Sequence, residues 1–197
     1  MDRMPFDAMS EASDEALLAA YAAGDQTAAR ALVQRLAPRA FGHAVRMLGD
    51  RAEAEDVAQE ALLRLWRAAP CWRDGEAKVS TWLYRVVSNL CIDRIRRRRG
   101  GTVDLDEIAE PADPAPGAEA ALQGRAREGA LQEALDALPE RQRQAVVLRH
   151  LEGLSNPEIA GIMEIGVRAV ESLTARGRKA LEGLLAGKRA ELGYDDD

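Results

Sequence analysis

Arg85, Asn89, Asp93 and Arg96 recur about one helical turn apart within residues 80–99 (STWLYRVVSNLCIDRIRRRR), and Arg97, Arg98 and Arg99 follow at once. At about 100° per residue these four share one arc of a helix, while Leu83, Val86, Val87 and Leu90 share an apolar one. Guanidinium, amide and carboxylate are planar polar groups that can read base edges, and the terminal arginines can hold phosphates. A solvated helix with a basic end is the blander alternative and the commoner fate of a charge run. This stretch alone does not separate the two.

Two neighbouring segments carry further chemistry. The loop at 70–79 (PCWRDGEAKV) sets Trp72 beside Arg73 and Lys78, a combination suited to base stacking with phosphate contact. A tryptophan that merely caps the core is the duller account. The helix expected over 52–68 buries Val57, Ala58, Ala61, Leu62 and Leu65, leaving Asp56, Gln59, Glu60, Leu63 and Arg67 on the other side. A leucine among acids has the makeup of a docking surface. An ordinary wet face with one stray leucine competes with that reading.

Those segments need helices to position them, and the chain supplies the signals. Ser13 can cap a first helix carrying Leu17, Leu18 and Tyr21, ended by Gly24. A second stretch runs from about Gln26 to Leu48, with a break or kink expected at Pro38. Asp50 and Glu53 then have the form of a capping arrangement. Residues 1–12 read as a disordered start, and 13–99 as a first domain stopped by Gly100 and Gly101. Pro111, Pro114 and Pro116 make 100–124 a flexible acidic tether.

A second domain is expected over 125–190, followed by an acidic tail at 191–197. One helix carries Leu131, Ala134, Leu135 and Leu138 before Pro139. Another includes Val146, Val147, Leu148 and Leu151. Ser155, Asn156, Pro157 and Glu158 form a capping box for a short helix to Met163. A turn at 164–166 leads to a last helix from Val167 to about Leu185. With Ile159, Ala160, Ile165 and Val170 apolar, the pair has helix-turn-helix spacing. The fold class expected is all-α, two small helical domains on a flexible linker.

Composition narrows the function classes. Apolar residues make up 47% of the chain and aromatics only 4%, which favours helices over strands. A formal net charge of -6 argues against binding duplex DNA by bulk attraction alone, yet six arginines face one acid between 85 and 99. Cys71 and Cys91 sit in no metal-ligand pattern, His43 and His150 are far apart, and no nucleophile or phosphate-loop motif occurs. No enzyme, metal or cofactor is expected. Without an apolar leader or spanning run, the expectation is a cytoplasmic protein with no membrane partner.

Several stretches together resemble the extracytoplasmic-function sigma factors, small two-domain initiation subunits of bacterial RNA polymerase, over roughly 17–185. The run DRAEAEDVAQE at 50–60, continuing to Leu63 and Trp66, resembles the family's core-polymerase-binding helix. Ser80, Thr81, Trp82 and Leu83, with Arg85, Asn89 and Asp93, resemble the segment that melts and reads the minus-ten element. Leu138 to Gln142 and the 155–181 stretch resemble the minus-thirty-five-binding domain.

The resemblance implies roles. Asp56, Gln59, Glu60, Leu63 and Trp66 would dock on the largest-subunit clamp coiled coil, with the flap as a second polymerase contact. Trp72, Arg73, Lys78, Trp82, Arg85, Asn89, Asp93, Arg96, Arg97 and Arg98 would hold the minus-ten strand, including a base extruded from the duplex. Arg168, Glu171, Ser172, Arg176 and Arg178 would lie at the minus-thirty-five element. An anti-sigma partner, released in a stress response, is also implied. The chain departs from the family pattern at Glu171, where lysine is usual, at Leu173, where arginine is common, and at Glu164, where a turn glycine is usual. A stand-alone helix-turn-helix regulator and a protein-interaction module without a DNA role remain the alternatives.

Overall fold

Capping side chains open the first three helices. The Ser13 hydroxyl accepts from the Ala16 amide at 3.1 Å to start α1 (Asp14–Ala22). Asp25 accepts from the Thr27 amide at 2.8 Å to start α2 (Gln26–Leu48), and Asp50 from the Glu53 amide at 2.9 Å to start α3 (Arg51–Ala68). The computed structural model describes residues 11–73, 75, 78–100 and 118–188, without the side chains of 100 and 118–122, and every regular element among them is helical. Residues 1–10 of the expected disordered start, most of the tether and the acidic tail lie outside the described residues, while the Ala12 carbonyl accepts from Arg35 at 2.6 Å.

Pro38 does not break α2, which is continuous across it. Pro38 and Gln34 are both exposed, so water can serve the Gln34 carbonyl that proline leaves without its amide. Gly49, left-handed at φ 69°, then ends the helix. A short 3-10 turn (Ala69–Cys71) closes α3.

Helix α4 (Val79–Gly100) has its first amide served from elsewhere in the fold, since Glu15 of α1 accepts from the Val79 amide at 2.9 Å. Its buried stripe is Val79, Leu83, Val87, Cys91 and Ile95, packed with Leu32, Leu36, Ala40, Ala44 and Met47 of α2 and with Val57, Ala61 and Leu65 of α3. Val86 and Leu90, expected on the apolar arc, are only half-buried at its edge. Each fully buried leucine or valine contributes on the order of 1.5–3 kcal/mol.

Helix α5 (Ala118–Asp136) starts ahead of the expected domain boundary at 125, so the last part of the expected tether, from Ala118, is helical. Alanines at 118, 120 and 121 are strong helix formers, and the last proline, Pro116, is already past. Helix α6 (Glu140–Val146) runs into a π turn (Val147–Leu151). The capping box of Ser155 and Glu158 opens α7 (Asn156–Met163), and α8 (Val167–Ala186) follows. Buried Ile159, Ile162, Met163 and Val170 join these last helices to Ala145 and Leu148.

The two halves pack against each other. Tyr84 of α4 is 6% exposed and belongs to the apolar cluster of α6–α8, while Leu135, Leu138, Val146 and Val147 belong to the cluster of α1–α4. Arg143, 5% exposed, donates to the Met47 carbonyl at 2.6 Å and to the Asp136 carbonyl at 2.7 Å, and pairs with the Asp136 carboxylate at 2.8 Å. Burial alone would disfavour that guanidinium and pulls its proton affinity down, but the Asp136 charge opposes it.

Candidate functional site

Residues Arg85, Asn89, Asp93 and Arg96 all lie exposed on the side of α4 away from its buried stripe. The spacing that places them there also puts Leu83, Val87 and Cys91 inward, so the face is a direct product of the helical period. Arg97 and Arg99 are exposed too. Arg98 is not part of that surface. It pairs with Asp50 at 3.1 Å and Glu53 at 2.9 Å and donates to the Leu48 carbonyl at 3.3 Å, tying the end of α4 to the start of α3. Arg94, one turn earlier, donates to the Glu53 carbonyl at 2.7 Å and was not singled out by the sequence.

The aromatic pair sits beside this face. Trp72 and Trp82 are half-buried with ring centroids 5.8 Å apart in an edge-on arrangement, and Trp72 Nε1 is buried without a hydrogen-bond partner among the described residues. Trp72 packs against the core cluster and stays partly exposed. Arg73 and Lys78 are exposed in the same loop.

On α3, Asp56, Gln59 and Leu63 are exposed and Glu60 is half-buried, with Leu63 48% exposed. Arg64 lies beside Glu60 at 2.8 Å and holds its carboxyl below the usual range, chiefly by hydrogen bonding. Trp66 lies at the margin of this face, its ring 4.7 Å from that of Tyr21. The two together line a shallow groove with Arg30 and Val33. Arg168, Glu171, Ser172, Arg176 and Arg178 are all exposed on α8. Arg176 donates to the Ser172 carbonyl at 3.2 Å, and Arg178 lies 3.7 Å from Glu182.

Three of the expected strand-binding cations meet carboxylates of the second half. Lys78 pairs with Glu158 at 3.0 Å, Arg96 with Glu140 at 2.9 Å, and Arg85 with Glu164. Glu158 is pushed down to about 2 by the Ser155 hydroxyl and amide and by Lys78. Glu164 is the sole non-glycine residue with positive φ among the described residues, at φ 54°, which is why a glycine would suit that turn.

Beneath these rim pairs, Tyr84 donates to Glu152 at 2.7 Å, Arg46 to Glu152 at 2.8 Å, and the His43 ring lies 3.6 Å from the same carboxylate. His43 Nε2 also meets the Ser88 hydroxyl at 2.8 Å. Sequence reasoning missed Tyr84, Arg143 and Glu152 because long-range partners leave no periodic trace. Glu158 entered the sequence reading only as part of a capping box, and Glu140 only within the Leu138 to Gln142 stretch.

Among the described residues there is no helix long and apolar enough to cross a membrane and no grouping of His, Cys, Asp and Glu that could hold a metal. The site therefore consists of polar and cationic surface on α4, an acid-flanked leucine on α3 and an exposed polar face on α8.

Comparison with known proteins identifies the two halves of the chain. The family description Sigma-70 region 2 matches residues 32–100, and Sigma-70, region 4 matches residues 128–181. The ECF RNA polymerase sigma factor SigE of Mycolicibacterium smegmatis is 36% identical, over 86% of this chain and 67% of that protein. SigW of Bacillus subtilis, an ECF RNA polymerase sigma factor, is 34% identical over 80% of this chain and 89% of its own length. Among solved structures, CnrH in complex with the cytosolic domain of CnrY is similar at 27% identity with a TM-score of 0.67, covering 88% of this chain and 97% of that one.

Proposed function

The chain belongs to the extracytoplasmic-function sigma factors of RNA polymerase, which bind core polymerase and direct it to promoters, and from that premise we propose how its own residues divide the task. Asp56, Gln59, Glu60 and Leu63, with Trp66 at the margin, dock on the clamp coiled coil. Acids and an amide around an apolar anchor suit a basic helical partner.

Asn89 and Asp93 hold an extruded minus-ten base beside Trp72 and Trp82, while Lys78, Arg73, Arg85, Arg96 and Arg97 hold the backbone around it. Capturing a base already out of the stack offsets part of the cost of opening the duplex. Arg168, Ser172 and Arg176 serve the minus-thirty-five element, with Arg178 on the backbone and Glu171 able to accept from cytosine N4. Arg98 is assigned to holding α4 on α3 rather than to DNA.

The observation that carries this division is the exposure of Asn89 and Asp93 on α4 together with that of Leu63 on α3, each on a helix whose opposite face is buried. The protein works by binding, without catalytic chemistry of its own, and acts in the cytoplasm with the polymerase. A regulatory protein is a further partner. CnrH is solved with the cytosolic domain of CnrY, and an anti-sigma factor that covers both halves would fit the same arrangement here.

Run-off transcription with purified core polymerase on a library of promoter fragments tests the proposal. The wild-type chain is expected to start transcripts only when core is present. N89A/D93A is expected to bind core normally yet lose opening, whereas Leu63→Asp is expected to lose core binding. Equal promoter binding with and without core would overturn the reading in favour of a stand-alone DNA-binding regulator.

A further inference from the structure

Adjacent residues near the end of α4 face different neighbours. Asp93 is exposed on the polar line of the helix, whereas Arg94 is half-buried against α3. Its Nη1 donates to the Glu53 carbonyl at 2.7 Å and lies 3.9 Å from the Asp56 carboxylate. Asp56 is one of the proposed docking acids. The guanidinium next in sequence to Asp93 therefore touches the docking face.

Arg98, one turn later, grips the same end of α3 by other groups. It meets Asp50 at 3.1 Å, Glu53 at 2.9 Å and the Leu48 carbonyl at 3.3 Å. Those contacts brace the two helices without involving Asp56.

The two contacts of Arg94 differ in kind. The short bond to the Glu53 carbonyl is charge-assisted and fixes where the guanidinium sits. The longer contact reaches a carboxylate whose side chain is 70% exposed, so water screens it and a competing cation can displace it. Asp56 can change partners while Arg94 stays in place.

We propose that Arg94 couples polymerase docking to strand capture through Asp56. A polymerase cation that takes this carboxylate leaves the Arg94 charge uncompensated beside Asp93, and a strand lying along α4 gains from that charge. The field of Arg94 covers this distance, since screening in 0.1 M salt sets in only over roughly 10 Å. Arg94 is a positioning residue, acting through Asp56 and through the charge it adds to α4. By linkage, a strand held on α4 strengthens core binding by the same factor. The inference rests on the reading of Asp56 as a docking acid and Asp93 as strand-facing, and adds the connection between them.

The test uses the full-length chain, purified core polymerase and a promoter fragment that supports run-off transcription. R94Q is expected to bind core about threefold more tightly, because Asp56 is then offered uncompensated. At saturating core it is expected to need about threefold more promoter fragment for half-maximal product. R94K, which keeps the charge, is expected to restore the promoter requirement. In a D56N background, where core binding is already weakened, R94Q is expected to bring no gain in core affinity. R98Q is expected to lose stability in urea without any gain in core affinity. Without core, D56N imitates the occupied state and is expected to bind fluorescein-labelled single-stranded oligodeoxythymidine about threefold more tightly. E55Q removes a neighbouring exposed charge and is expected to leave that affinity unchanged. D56N and E55Q both alter exposed side chains, so this arm reads the coupling even where R94Q does not fold.

R94Q losing core and promoter affinity in step with stability would make Arg94 a brace and overturn the coupling. So would a gain in core affinity that persists in D56N, or equal oligonucleotide gains in D56N and E55Q. D56N binding core as well as the unsubstituted chain would overturn the docking reading and the coupling with it. Weakened core binding in D56N, with R94Q unchanged, would remove the coupling and leave the docking reading standing.

Discussion

Tyr84 donates its phenol proton to Glu152 at 2.7 Å, joining helix α4 to the turn after α6. The same carboxylate receives Arg46 at 2.8 Å and lies 3.6 Å from the His43 ring, both on α2. One acid therefore gathers three groups of the first half. Removing the phenol oxygen alone leaves the ring packed among Leu148, Ile159 and Met163. Tyr84→Phe is expected to lower stability by about 1.5–3 kcal/mol, the net worth of one hydrogen bond to a charged group. Tyr84→Ala, which also empties the ring's site, is expected to cost about 3–5 kcal/mol. Urea denaturation of both variants checks the difference.

The same pair predicts stability limits at both ends of the pH scale. For Glu152, burial acts to raise the carboxyl, but His43 and Tyr84 hydrogen bonding and the charge of Arg46 outweigh it and hold the value below the ordinary 4.5. A depressed acid contributes stability that is present above its unfolded value and lost as pH falls through the folded one. For Tyr84, burial and then Glu152 raise the phenol above its ordinary 10.0, so folding favours the protonated form. That contribution is present below about pH 10 and lost as pH rises further. Unfolding free energy measured from pH 3 to 11 is expected to fall at both ends. E152Q should flatten the acid limb and Y84F the alkaline one.

A tight approach beneath the helix-turn-helix gives an independent prediction. A Cβ added at Gly177 would lie 2.6 Å from Val146 Cγ2 and 3.3 Å from the Gln142 carbonyl oxygen, so α8 touches α6 at this point with no room for a methyl group. Gly177→Ala would push α8 away from α6 and is expected to cost about 1–3 kcal/mol despite alanine's better helix propensity. Gly183→Ala, with nothing within 4 Å, is the contrast and is expected to be neutral or slightly stabilising. Thermal melts of the two variants test this, and affinity for duplex minus-thirty-five DNA should fall only for the first.

Local signals explain which parts could be read in advance. The starts of α1, α2 and α3 follow from caps lying within three residues of the amides they serve, and the exposed line on α4 follows from the helical period. The start of α5 was misplaced because acidic, proline-rich composition masked a run of alanines beyond Pro116. Arg98 was grouped with its basic neighbours, although it lies one turn after Arg94 and both reach back to Glu53. The docking of the two halves was illegible altogether. Tyr84, Arg143 and Glu152 meet partners in the other half of the chain, and nothing in their own neighbourhoods reports those partners.

Glu164 offers the sharpest separation of local conformation from charge. Its backbone is left-handed at φ 54°, a conformation in which a side chain costs about 1–2 kcal/mol. Its carboxylate meets Arg85 at an exposed rim, where an ion pair contributes about 0–1 kcal/mol. Glu164→Gly removes the backbone cost together with the pair, so the former should win and the chain should gain up to about 2 kcal/mol. Glu164→Gln keeps the backbone cost and removes only the charge, so stability should stay level or fall slightly. If the carboxylate serves to cover Arg85, both variants should bind single-stranded DNA more tightly than the unsubstituted chain although their stabilities move apart. Parallel denaturation and fluorescence-anisotropy titrations decide it. Affinity that tracked stability across the pair would show that turn conformation, and not negative charge, governs access to α4.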